Sequence, residues 1–237
     1  VNELDAIAQR YARRDTRGEG GDRYSLLRPE VWQMWQERQR ALLRLLSTRA
    51  GQPADWRAAE VGCGAGGNLL DLLRLGLMPA HLTGIELLPD RLAAARAALP
   101  EGVRLLAGDA STADVAPASQ DLVLQSTVFS SILDDGLQQR VAESMWRWLK
   151  PGGAVVWYDF TVNNPRNPDV RGVPLARVRA LFPQGDFTAR RVTLAPPLAR
   201  ALPAAYGLFN LVPWLRTHRL VLIEKPQDPV IPENPAR

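Results

Sequence analysis

The residues best suited to chemistry in this chain form one run, Ala58-Ala59-Glu60-Val61-Gly62-Cys63-Gly64-Ala65-Gly66-Gly67-Asn68-Leu69. A small apolar stretch ends in an acid, passes through glycines and opens into a helical pattern. Glycine accepts positive φ and lets a ligand approach the backbone where a Cβ would block it. A helix that starts there offers unpaired N–H groups and a partial positive charge. Glu60 adds a strong acceptor beside the turn. Three further acids follow at the ends of apolar runs, in Gly84-Ile85-Glu86-Leu87, Gly108-Asp109-Ala110 and Tyr158-Asp159-Phe160. Acids at such ends can accept from hydroxyls and amines of a bound ligand, or take a proton from one.

The elements that must position these groups follow from periodicity. Short apolar runs predict strands at about 56–61, 81–86, 103–107, 121–125 and 154–160, with two more at 186–194 and 216–224. Between them, helical spacing predicts helices over 68–75, 90–98 and 136–149, the last broken by Lys150-Pro151-Gly152-Gly153. A helix from Pro29 carries Trp32 and Trp35 as expected core anchors and stops at Gly51-Gln52-Pro53. Repeated β-α-β spacing predicts an α/β fold, a doubly wound, seven-stranded, mostly parallel sheet with an antiparallel last strand and helices on both faces. In such a sheet ligands lie at the carboxyl ends of the strands.

Two ligand readings compete for the Gly-rich turn. Gly62, Gly64 and Gly67 satisfy the G-x-G-x-x-G dinucleotide fingerprint, with Glu86 downstream to hold a ribose. The order Glu60-x-Gly-x-Gly-x-Gly, Gly84-Ile85-Glu86, Gly108-Asp109-Ala110, Asp121-Leu122-Val123 and Leu149-Lys150-Pro151-Gly152-Gly153 instead resembles class I S-adenosylmethionine (SAM)-dependent methyltransferases over about residues 55–160. The resemblance implies SAM as methyl donor, S-adenosylhomocysteine as product and no metal. It implies that Glu60 and the backbone of Gly62, Cys63 and Gly64 lie along the amino-acid and ribose part. Glu86 would accept both ribose hydroxyls, and Leu87 would pack on the adenine. Asp109 would accept the adenine amine while the Ala110 N–H faces a ring nitrogen. Gln125 and Ser126 would approach the methionine portion. An N-terminal segment would fold over the cofactor, with Arg28, just after Tyr24, pairing with the SAM carboxylate. The bland alternatives are a helix cap or turn acid for Glu86 and Asp109, a packing residue for Cys63 and a surface arginine for Arg28.

Acceptor candidates follow the fifth strand. Asp159 is the expected base or acceptor-orienting acid, and His218 the second catalytic candidate, with a core histidine as its alternative. Asn163, Asn164 and Arg171 offer groups suited to polyol or anionic substrates, though asparagines before prolines also build turns. Residues 195–215 are more apolar than a strand connection requires. They roof the acceptor site, form a dimer face, touch a membrane surface, or complete the core.

The chain of 237 residues, 46% hydrophobic and 23% charged, is long enough for one full α/β core. We read it as one domain: a helical cap over 1–50, the cofactor core over 55–160, acceptor-side elements over 161–225 and a tail over 226–237. Its single cysteine excludes an internal disulfide and a multi-cysteine metal site. The net charge of +4 rests on 27 arginines against 2 lysines, a compositional bias rather than a nucleic-acid footprint. Arg10, Arg13, Arg14 and Arg17, interleaved with acids, read as a short helix in a solvated arm. The expectation is a cytoplasmic methyltransferase, monomeric or homodimeric, acting on an oxygen of a small molecule or glycan. N-transfer to an amine and a SAM-binding protein without turnover are the alternatives.

Overall fold

The computed structural model describes residues 2–16, 24–163 and 167–227. Its centre is a seven-stranded sheet in the order β3-β2-β1-β4-β5-β7-β6. The strands are β1 Ala58–Val61, β2 Leu82–Glu86, β3 Arg104–Ala107, β4 Gln120–Ser126, β5 Leu149–Phe160, β6 Asp186–Leu194 and β7 Arg216–Glu224. β1 to β5 pair in parallel, and β7 runs antiparallel between β5 and β6. The seven expected strands are all present and the antiparallel one is the last in sequence.

Eight helices surround the sheet among the described residues: α1 Glu3–Thr16, α2 Pro29–Leu46, α3 Gly67–Arg74, α4 Pro89–Ala98, α5 Asp135–Trp148, α6 Leu175–Leu181, α7 Pro196–Ala201 and α8 Tyr206–Phe209. Their starts follow local chemistry. Proline fixes φ at the first turn of α2 and α4, and the Asp134 carboxylate accepts the Leu137 N–H at 2.5 Å to cap α5. The two faces of the sheet carry separate cores. One joins Val123, Trp157 and Val221 to α5 and α6 through Met145, Trp148 and Phe182; the other joins Leu124, Val156 and Leu222 to α2 and α3 through Leu42, Leu45 and Leu69. This division is strand alternation made visible, since neighbours along a strand face opposite ways.

Three expectations need correction. Leu149 to Gly153 do not merely break α5: they form the first half of a 12-residue β5, joined to β4 through an irregular register between Gln120 and Leu122. Trp32 and Trp35 are not core anchors. Trp32 is exposed and stacks on Trp35 with centroids 4.9 Å apart, while the Trp35 indole N–H reaches Asp71 at 3.2 Å. Nor is α1 a solvated arm. Leu4, Ile7 and Tyr11 recur at i, i+3 and i+7 and pack onto the sheet's core. Arg10 donates to Glu3 at 2.7 Å and to the Ser131 carbonyl at 2.9 Å, which fastens the helix down.

Candidate active site

β1 lies where the sheet changes direction, with β2 and β3 on one side and β4 and β5 on the other. A crevice must open above such a switch point. A cavity of about 130 Å³ lies there, walled by Gly62, Glu86, Leu87, Gly108, Asp109, Ala110, Ser126, Thr127 and Val128. Leu4, Ile7 and Tyr11 of α1 also line it. Tyr11 meets the Ser131 hydroxyl at 3.0 Å, and its ring lies 4.3 Å from the Arg91 guanidinium carbon. A smaller cavity of about 30 Å³ lies under α2, lined by Arg38, Asn68, Gln125, Ser126 and Tyr158 among others. Ser126 belongs to both.

The glycine turn is built as the sequence requires. Gly62 has φ +63, and a Cβ there would sit 2.5 Å from Val128 Cγ2; Gly64 has φ +56 with nothing within 4 Å. The Glu86 carboxylate is buried at the tip of β2 and is held from both sides, Oε2 by the Gly64 N–H at 2.8 Å and Oε1 by the Leu88 N–H at 2.9 Å. Each oxygen keeps a further lone pair for a ligand. Asp109 lines the cavity while its own turn uses it, Oδ1 accepting the Ser111 N–H at 2.8 Å and Oδ2 the Ser111 hydroxyl at 2.5 Å.

Glu60 is wholly buried, and burial pushes its carboxyl up to about 7 against the Asn68 hydrogen bond. Asn68 donates to Oε1 at 2.5 Å, whereas Oε2 has no hydrogen-bond partner among the described residues. Its chain neighbours Val61 and Gly62 wall the larger cavity and Asn68 walls the smaller. Arg38 completes the group, donating to Asn68 Oδ1 at 2.8 Å and to the Ser126 hydroxyl at 3.3 Å. An unpaired carboxylate oxygen and a guanidinium, joined through one asparagine, match the opposite charges of a free amino acid.

Gly62, Glu86, Leu87, Asp109, Ala110 and Ser126 thus line one cavity, whereas Glu60 lines neither. The other candidates lie elsewhere. Cys63 is buried between Gly84 and the turn, with its thiol pushed up to about 12 by burial, and lines neither cavity. Its N–H is taken by the Ile85 carbonyl at 3.0 Å, so packing is its role. The Gly64 N–H faces Glu86 rather than open space. Gln125 is buried, its amide spent on the Tyr158 carbonyl at 3.3 Å and the Val128 N–H at 3.1 Å, and it meets only the smaller cavity. Arg28 lines neither cavity and pairs with the buried Glu30 at 2.9 Å, beside the exposed Tyr24. Arg38, ten residues on, lies on the same face of the sheet as Glu60 and is joined to it through Asn68.

Asp159, the expected base or acceptor-orienting acid, is instead held by backbone N–H groups. It is wholly buried, lines neither cavity and accepts the Ser130 N–H at 3.0 Å and the Phe160 N–H at 2.9 Å. Burial pushes it up to about 7. It fixes the 127–131 loop, where Thr127 takes φ +56 and gives its N–H to the Tyr158 carbonyl at 2.8 Å. Asn163 accepts the Gly172 N–H at 2.8 Å and Arg171 pairs with Asp135, so both serve their loop; Asn164 lies outside the described residues. His218 stacks on Tyr158 at 5.1 Å and meets the Thr217 hydroxyl at 3.0 Å through Nδ1. Burial, helped by Arg38, pushes it down to about 4, so the imidazole is neutral at pH 7.

Comparison with known proteins bears on this geometry. Residues 58–153 match the methyltransferase domain family, the stretch that runs from Glu60 through Asp109 to Gly153. Over residues 58–153 the chain carries a methyltransferase domain of the class I, SAM-dependent kind. The family uses SAM as its methyl donor, and the free Glu60 oxygen beside the strand-tip acids fits such a ligand. No curated protein matches the sequence. Solved structures share the fold. A protein from Pyrococcus horikoshii is 13% identical, with 87% of this chain and 94% of that chain covered and a TM-score of 0.62. An S-adenosylmethionine-dependent methyltransferase from Mesorhizobium loti is 18% identical, with coverage of 78% and 98% and a TM-score of 0.56. The [4+2]-cyclase SpnF is 16% identical, with coverage of 79% and 82% and a TM-score of 0.57. The methyltransferase domain thus sits in a Rossmann-like sheet of wide use.

Proposed function

We propose that this methyltransferase moves a methyl group from SAM to an oxygen of a small molecule or glycan. The observation that supports the cofactor placement is the buried Glu60 carboxylate with one free oxygen, which lines neither cavity itself but whose neighbour Gly62 walls the larger and whose partner Asn68 walls the smaller. Glu60 would receive the ligand's ammonium and Arg38 its carboxylate, replacing the Arg28 of the sequence reading. Glu86 would hold the ribose diol and Asp109 with Ala110 the adenine edge. Bound SAM supplies a methyl carbon on a sulfonium, open to in-line displacement.

The chain's own contribution is positioning and exclusion of water. Leu4, Ile7 and Tyr11 cover the larger cavity, and the Asp159-anchored loop forms its far wall. For a hydroxyl acceptor a base is required. His218 is the candidate for that role, since it is neutral at pH 7 and its ring bonds only Thr217 among the described residues, although it lines neither cavity and its burial makes it a weak base. One observation favours N-transfer instead: the burial of Asp159 away from both cavities removes the expected carboxylate base, and a neutral amine needs none.

The test combines SAM and S-adenosylhomocysteine calorimetry with transfer of labelled methyl to a panel of sugars, glycolipids and amines. Binding of both nucleosides and label on a hydroxyl are expected, with His218→Gln losing O-transfer. Label confined to amines, unaffected by that variant, would move the assignment to N-transfer. Failure to bind either nucleoside would refute the cofactor placement.

A further inference from the structure

The connection from β6 to β7, residues 195–215, is more than a linker. Its inner side is anchored: Leu194, Ala199 and Tyr206 are buried with Met34 and Phe209 packed on them, and the Tyr206 hydroxyl donates to Glu37 at 2.6 Å. Its outer side is apolar and open, with Leu208, Leu211 and Trp214 exposed by 68%, 73% and 75%. The start of α2 extends this surface. Gln33 donates to the Pro203 carbonyl at 3.2 Å, and on the same first turns Trp32 is exposed while Leu27 just before them is 94% exposed. Two segments far apart in sequence bring large apolar side chains to one face, the pattern of an interaction surface rather than of scattered exposure.

Charge says what the face meets. Between Phe187 and Ile223 the sequence holds five arginines, at 190, 191, 200, 216 and 219, and no aspartate or glutamate. The acids that approach from α2 are buried and engaged. Glu30 pairs with Arg28, and Glu37 accepts Tyr206 and the Thr193 N–H while lying 3.7 Å from Arg216. Arg190 shares the parity of Val192 and Leu194 and so lies on the α2 side with this segment, whereas Arg191 and Arg219 pair on the α5–α6 side of the sheet. A second copy is a poor occupant, because a two-fold contact would set this arginine-rich face against itself.

We infer that this face docks on an anionic lipid bilayer, with Trp214, Leu211 and Leu208 entering the headgroup boundary and Arg190 and Arg200 meeting phosphates. Tryptophan and leucine beside guanidinium groups are the side chains suited to that depth. No helix among the described residues is long and apolar enough to cross a membrane, so the contact is peripheral. The segment leaves β6 at Leu194 and enters β7 at Arg216, on the sheet edge that also carries Phe160 and Ser126. Docking therefore turns the strand tips toward the lipid. The inference does not depend on which acceptor is methylated.

The experiment is vesicle flotation of the whole chain, with phosphatidylcholine alone and with an equal mixture of phosphatidylcholine and phosphatidylglycerol, at low and high salt. Wild type is expected to float with the mixed vesicles only and to be released by salt. The double variant Trp214→Ser, Leu211→Ser is expected to lose about tenfold or more in partitioning, since two large side chains lose their burial. Calorimetry with SAM on the same samples separates this outcome from misfolding and from failure of the cofactor placement. Wild type that ignores the mixed vesicles, or a double variant that floats as well as wild type, overturns the inference. So does a wild-type dimer in light scattering that the double variant dissolves, which would assign the face to a second copy.

Discussion

Replacing Glu60 with glutamine tests the site through two effects of opposite sign. In the folded chain burial raises this carboxyl from 4.5 to about 7, so the folded state holds a proton that the unfolded chain releases. Stability from this group is full below pH 4.5 and is lost as pH rises through about 7. Over pH 5 to 8 the loss amounts to about 2 to 3 kcal/mol. Glutamine carries no such loss. The orphaned position costs the protonated acid and the amide alike, so it cancels in the comparison. Asp159 titrates in the same range, but it is common to both proteins. Glu60→Gln is therefore expected to gain about 2 to 3 kcal/mol on wild type between pH 5 and pH 8, measured by urea denaturation. Its SAM affinity is expected to move the other way, with a loss of about 2–5 kcal/mol when one partner of a buried charge pair is removed. Wild-type affinity should rise about tenfold from pH 6 to pH 8 as the carboxylate ionises, and the variant's should stay flat. A variant with unchanged pH-dependent stability would refute the burial argument. One that binds SAM as wild type does would refute the ammonium placement.

Three further outcomes are expected. Glu86→Ala should weaken SAM binding by about 2–5 kcal/mol in calorimetry, and should also leave the Gly64 and Leu88 N–H groups unpaired. Gly62→Ala should cost more stability than Gly64→Ala in denaturant. Both suffer about 1–2 kcal/mol of left-handed strain, but only the first drives a Cβ into Val128. Asp159→Ala should destabilise the chain by about 2 kcal/mol through two stranded N–H groups and raise KM for SAM through the 127–131 loop. Loss of turnover with stability and KM intact would return Asp159 to the role of base.

The strand tips that wall the larger cavity were legible because strands and turns there are local. Gly62, Glu86 and Asp109 each sit where an apolar run meets a glycine, and the fold merely lines those ends up. What sequence reading missed depends on distance or on phase. Arg38 reaches Asn68 and Ser126 from a helix whose polar face gives no hint of its partner. Asp159 differs from Tyr158 by one residue, and strand alternation sends Tyr158 toward the α2 cavity and Asp159 toward the Ser130 loop. That phase was readable. The apolar stripe of α1 was also present, at Leu4, Ile7 and Tyr11, but the arginines around it dominate a window of that length.

The place of β7 has a consequence for biosynthesis. Because β7 fits between β5 and β6, neither can complete its hydrogen bonding until the ribosome has released the chain through Glu224. Until then β5, rich in valine and tryptophan, presents an open edge that could recruit strands from other nascent chains. A truncation ahead of Arg216 would keep every glycine and acid that lines the larger cavity, yet should accumulate as aggregate rather than as a smaller folded protein.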